Sequence, residues 1–203
     1  MTRWTLILTF LLSTACSQRS PWVVVSVPRT GPRAAAVTVP PPAPLDSATI
    51  ALMGTLAFPV SGIDSTRLDD SFADPRDGGS RTHHAIDIMA PRGSAVLAVQ
   101  DGRILRLSKS DKGGTTIYAT DLTEHFVYYY AHLDRYHANI YDGRPLVRGD
   151  TIGYVGTSGN APENLPHLHF QVMRMPPDKK FWVGEPINPS PLLRPASTSS
   201  QWR

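Results

Sequence analysis

A single cysteine, Cys16, stands among the 203 residues, so no intrachain disulfide can staple the chain and no multi-cysteine zinc site can form. Any metal would rest on His, Asp or Glu. Charge of one sign is also scarce. Twenty basic against 17 acidic residues leave a formal charge of +3, without the concentrated basic footprint that duplex DNA binding needs, so no nucleic-acid partner is expected. The apolar run from Trp4 to Leu12 is about half of the ~20 residues that a spanning helix requires, which disfavours a permanent membrane helix. What is plentiful is proline and glycine, 19 and 15 residues, too many for a helical bundle and suited to a loop-rich or β-rich chain. At 41% hydrophobic the sequence holds enough apolar material for one globular core.

Composition divides the chain into four. Arg3, the apolar run, and Ser13-Thr14-Ala15 leading into Cys16 read as a secretory signal over residues 1–15. Small residues ending in Ala-Cys resemble a bacterial lipobox, with Ser13 where Leu is usual. That resemblance implies cleavage before Cys16, acylation of its thiol and a lipid anchor in the cell envelope, with Ser17 leaning towards the outer membrane. Residues 16–45 carry seven prolines and read as a tether, which would reach ~90 Å if polyproline-like and ~30 Å as a coil. Residues 46–195 read as the folded domain and 196–203 as a disordered tail.

Within that domain, short apolar runs broken by Gly, Asp, Asn and Pro predict an all-β fold, mainly antiparallel, a small open barrel or sandwich-like domain with loops and little helix. Strands are expected at 56–60, 85–89, 95–99, 103–107, 115–119, 126–132, 151–155 and 167–173, and a weak helix near 134–141. Phe181, Trp182, Ile187, Leu192 and Leu193 of the Pro-rich tail are expected to pack back on the sheet.

All seven histidines lie between His83 and His169. In His167-Leu168-His169 both imidazoles share one strand face while Leu168 and Phe170 point to the core. Ile86 and Ile88 alternate with Asp87 in the same way, placing a carboxylate on the opposite face from its apolar neighbours. On the same open face as the imidazoles, Asp87 would be a hard, charge-compensating ligand for a zinc ion. His83 completes the set if a turn precedes that strand. A third element, Tyr128-Tyr129-Tyr130-Ala131-His132, delivers His132 at the end of an aromatic strand. Tyr128 and Tyr130, on one strand face, are candidates to line a substrate groove. His84, His125 and His137 have no comparable spacing.

From about Phe58 to Pro191 these residues resemble the LytM/lysostaphin-type zinc metallopeptidases, bacterial cell-wall endopeptidases. His83 to Asp87 is similar to the family's H-x-x-x-D, the run from Ala90 to Ala98 to its A-P-x-G-T-P-V-x-A, Tyr130 to Leu133 to Y-x-H-L, the stretch Val147 to Gly159 to its glycine-punctuated turn, and His167 to Phe170 to H-L-H-F. The resemblance implies one Zn2+ held by His83, Asp87 and His169, with His132 and His167 as catalytic imidazoles, and hydrolysis of amide bonds in peptidoglycan stem peptides or cross-links by a monomer. The alternative it leaves is a non-catalytic module that binds peptidoglycan or activates a cell-wall amidase. Two departures stand out: Ala85 replaces a usual Gly, and residues 160–166 differ from the short Gly-rich approach to H-L-H.

Overall fold

The computed structural model of the chain describes residues 46–194. The expected signal, Cys16, the tether and the 196–203 tail lie outside the described residues. A short helix, α1 (Ser47–Leu52), is capped by the Asp46 carboxylate, which accepts from the Thr49 amide at 2.8 Å, and buries Leu52. Next come two short strands, β1 (Pro75–Arg76) and β2 (Arg81–Thr82), a hairpin whose strands pair only with each other among the described residues.

The remaining strands make one nine-stranded antiparallel sheet: β3 (Ile86–Met89), β4 (Ala95–Leu97), β5 (Gly102–Ser110), β6 (Gly114–Asp121), β7 (Phe126–Tyr136), β8 (Pro145–Leu146), β9 (Thr151–Val155), β10 (His167–Arg174) and β11 (Glu185–Ile187). The main path runs β11-β10-β7-β6-β5-β8, with β3 added on β10 and β9 joining β7 to β4. A second short helix, α2 (Ser190–Leu193), closes the described chain. The fold is the expected one: mainly antiparallel sheet, open, with almost no helix.

Alternation builds the two faces. Leu168, Phe170 and Val172 of β10 and Ile86 and Ile88 of β3 are buried together with Tyr128, Tyr130, Ile117 and Ile104. Their odd-numbered neighbours on β10 and β3, His167, His169, Gln171 and Asp87, share the open face. The register seats Asp87 directly opposite His169, and His169 opposite Ala131 of β7.

Three expectations need correction. Residues 134–141 are not helical: β7 continues to Tyr136, with Leu133, Arg135 and Tyr136 pairing with Val155, Tyr154 and Gly153 of β9. Tertiary pairing, with the Arg135 guanidinium 3.9 Å from the Tyr154 ring centre, overrides a weak local preference. Residues 56–60 run beside β4 without forming a ladder, making the bridge Val60 to Val96 and the bonds Ala57 N–H to Val99 O and Leu97 N–H to Pro59 O. Pro59 has no amide proton to give. Of the C-terminal apolar residues, Ile187, Leu192 and Leu193 are buried and Phe181 lies against Tyr118, but Trp182 is exposed.

Candidate active site

The open faces of β3, β10 and β7 floor a groove of about 770 Å³. The turn-and-hairpin segment before β3 forms one wall, and the β5–β6 turn with residues 160–165 forms others. All five expected histidine and aspartate positions line it: His83, Asp87, His132, His167 and His169.

His83 reaches the cluster because His84 takes a left-handed backbone, φ 58°, turning the chain into β3. Ala85 is fully buried and is not among the positive-φ residues, so the methyl group that replaces a usual Gly is accommodated without left-handed strain. His83 Nε2 lies 3.0 Å from His169 Nδ1 and 3.1 Å from Asp87 Oδ1, and His169 Nδ1 is 3.1 Å from the same oxygen. Three donor atoms thus form a nearly equilateral triangle. Four ligands around zinc at bonds of ~2.0 Å stand about 3.3 Å apart, so this donor set fits one ion with a fourth position open. The carbonyl of Ser71, 2.9 Å from His83 Nδ1, accepts that N–H and leaves Nε2 free as a donor. Ser71 Oγ accepts from the Asp87 amide at 3.1 Å.

Burial opposes ionisation of Asp87, but hydrogen bonds from His169 and His83 and their charges outweigh it and hold the carboxyl well below the usual range. Burial pushes His169 down, against the pull of Asp87. Burial likewise lowers His132 to about 4, opposed by its bond to the Ser158 carbonyl and helped by the neighbouring imidazoles. His132 is therefore a neutral base at neutral pH.

The second pair of imidazoles flanks the triangle. His132 and His167 have ring centres 5.0 Å apart, and His132 is 5.6 Å from His169. His132 Nδ1 lies 2.8 Å from Ser158 O and His167 Nδ1 2.7 Å from Leu165 O. Each carbonyl takes the Nδ1 proton, so each ring offers Nε2 as its working nitrogen.

The aromatic expectation is corrected here. Tyr128 and Tyr130 are 2% and 0% exposed and face the core, Tyr130 Oη accepting from the Val99 amide at 3.2 Å. Tyr129 lines the groove instead, its ring centre 6.1 Å from His169. His132 still reaches the groove because it is left-handed, φ 59°, at a register shift in the β6–β7 pair, with its amide bonded to Gly113 O. This bulge breaks the period of two that would have sent His132 inward. Sequence reasoning also missed Arg76, whose Nη2 lies 2.7 Å from Asp87 Oδ2, and the rim charges Arg81, Asp77 and Lys112. His84 lines the groove beside Phe72.

An open antiparallel sheet thus carries an imidazole–carboxylate cluster on the floor of a groove, the donor set of a hydrolytic metal centre. The chain belongs to Peptidase family M23, whose model matches residues 81–189. It is 31% identical over 124 residues to an L-Ala--D-Glu endopeptidase of Bacillus subtilis, covering 58% of this chain and 38% of that protein. To the peptidoglycan DD-endopeptidase ShyC of Vibrio cholerae it is 28% identical over 121 residues, covering 58% of this chain and 27% of that protein. The chain thus spans between about a quarter and two-fifths of these curated relatives. Among solved structures, a lytM protein of Ruminococcus gnavus superposes with TM-score 0.58 at 29% identity, covering 71% of this chain and 62% of that one.

Proposed function

We propose that this chain is a zinc-dependent endopeptidase that hydrolyses amide bonds in peptidoglycan stem peptides or their cross-links. The observation that carries the reading is the donor triangle of His83, Asp87 and His169 with two further imidazoles beside it in one groove. The similarity to a peptidoglycan DD-endopeptidase and to an L-Ala--D-Glu endopeptidase supports the substrate class. When bound, zinc supplies Lewis acidity, polarising the scissile carbonyl and bringing the pKa of a water towards ~7.

The chain's own residues do the rest. His83 Nε2, Asp87 Oδ1 and His169 Nδ1 hold the metal. His132, kept neutral by burial and with Nδ1–H tied to Ser158 O, takes the proton of the attacking water at Nε2 and returns it to the leaving amine nitrogen. His167, fixed by Leu165 O through Nδ1, presents Nε2 to the same groove and, in its doubly protonated form, would donate from Nε2 to the developing oxyanion. Tyr129 and the 160–165 wall bound the space in which an extended peptide lies.

The lipobox-like sequence ending at Cys16 supports an envelope location with a lipid anchor, and the proline-rich tether would let the domain reach the wall. In a two-membrane bacterium the target we propose is the cross-link between D-alanine and diaminopimelate. Incubating the purified protein with sacculi and mass-analysing the soluble products tests the reading: peptide-bond cleavage within stems or cross-links is expected. Cleavage between sugar and L-alanine would make it an amidase, and no release by the zinc-loaded protein would favour the activating module.

A further inference from the structure

The two oxygens of Asp87 have different partners. Oδ1 faces both cluster nitrogens, at 3.1 Å from His83 Nε2 and 3.1 Å from His169 Nδ1. Oδ2 accepts from Arg76 Nη2 at 2.7 Å. The same guanidinium nitrogen lies 2.9 Å from His83 Nδ1. With the His83 Nδ1 proton given to Ser71 O, the hydrogen bond of Arg76 to the triangle is the one to Asp87; a guanidinium has protons to give and no lone pair, so Arg76 contributes no donor atom.

We propose that Arg76 is a positioning residue that fixes which oxygen of Asp87 serves the metal, a role that rests on the ligand set proposed above. A carboxylate on a short side chain can rotate about its terminal bond and offer either oxygen or both. An ion pair at 2.7 Å to one of them removes that freedom and leaves Oδ1 as the single donor. A carboxylate held in this way would offer a metal one donor atom and not two.

The local backbone supports this reading. Arg76 comes from β1, in a hairpin that lies outside the nine-stranded sheet, so its side chain links a separate element to the floor of the groove. The segment leading into that hairpin is itself bound to the cluster: Ser71 contacts the Asp87 amide and His83 Nδ1, and the carbonyls of Phe72 and Asp74 accept from His84 and His83. The Arg76 side chain is 30% exposed and that of Asp87 25%, so the pair is partly shielded from water, where an ion pair holds geometry better than on an open surface. Arg81, on the partner strand of the same hairpin, pairs with Asp77 at 2.7 Å and, among the described residues, makes no ion pair with the triangle.

The test uses the full chain loaded with Co2+, whose visible bands report coordination number, together with Co2+ and Zn2+ affinity by chelator competition. Arg76→Ala is expected to weaken metal binding by about 10- to 100-fold and to lower the intensity of the cobalt bands as Asp87 takes a second position. Arg76→Lys, which keeps a charged donor, is expected to recover part of both. Arg81→Ala should match wild type, and the metal-free unfolding midpoint of Arg76→Ala should stay close to wild type. Affinity and spectrum unchanged in Arg76→Ala, or tighter binding there, overturns the proposal. Equal metal affinity in wild type and Asp87→Ala overturns the ligand assignment itself, a different failure with a different signature.

Discussion

Tyr130 and His132 are two residues apart on β7 yet lie on opposite faces of the sheet, the tyrosine fully buried and the imidazole in the groove. The left-handed backbone at His132 and the register shift beside it separate them. A core residue and a site residue are thereby supplied by one strand with no glycine at the bulge.

Truncating the buried ring should therefore cost stability and not specificity. Tyr130→Ala is expected to lose ~3–5 kcal/mol, as large aromatic truncations in cores do, and Tyr130→Phe about 1 kcal/mol for the bond from Val99 N–H. Tyr129→Ala should instead raise KM with a smaller loss of stability. Urea midpoints measured beside peptide kinetics separate the two.

The four site substitutions should fall into two groups. His169→Ala and Asp87→Ala each remove one of three donor atoms and are expected to empty the site of metal. His132→Ala and His167→Ala should keep the metal and lose turnover by ~10²–10⁴-fold, the usual worth of a positioned acid or base. Metal content and product release, measured on the same preparations, decide this; equal metal loss in all four would mean the imidazoles are wrongly divided.

Much of this was legible because the signals are periodic. His167 and His169, Asp87 between Ile86 and Ile88, and the buried Leu168 and Phe170 follow the two-residue repeat of a strand, and the structure seats them as that repeat requires. The bulge was not legible: a left-handed His has no sequence mark of the kind a glycine gives, so the face assigned to Tyr128 and Tyr130 was inverted. Arg76 sits in a two-residue strand too short to show any period, eleven residues before its partner. Ser71, Ser158 and Leu165 orient the imidazoles through main-chain carbonyls, which every residue type possesses.

The carbonyl that orients His132 depends on a close backbone approach. Gly159, at φ 74°, passes so near Gly114 N and Lys112 O that an added Cβ would collide with both. Gly159→Ala is expected to displace the 158–160 segment and, with it, the Ser158 acceptor, lowering kcat more than metal content. Gly143→Ala, at φ 87° with no atom within 4 Å, meets only the backbone penalty of ~1–2 kcal/mol and should leave kcat unchanged. Thermal midpoints and turnover of the two variants provide the comparison.

If the lipobox-like sequence is used, Cys16→Ser should move the protein from the membrane to the soluble fraction of its host while the peptidase activity of the released protein persists, because acylation needs the thiol. The check is the mass of the N-terminal peptide. An unmodified cysteine in the wild-type protein would remove the anchor from the proposal.

The pH dependence of the metal-free protein follows from the buried imidazoles. His132 titrates at about 4 in the folded chain and near ~6.5 when unfolded, and His169 is lowered in the same direction. Between those values the unfolded chain binds more protons than the folded one, so stability rises with pH across that window. It is fully present above ~6.5 and is lost as pH falls towards 4. Asp87 gives a slope of the same sign at lower pH: its lowered carboxyl stabilises the fold above the usual carboxylate range and that contribution is lost only in stronger acid, so it adds no slope between pH 5 and 7. With chelator present, the urea midpoint should therefore decline from pH 7 to pH 4.5, and His132→Gln, which removes one of the titrating rings, should flatten the decline. An equally steep slope in His132→Gln would place the titrating group elsewhere.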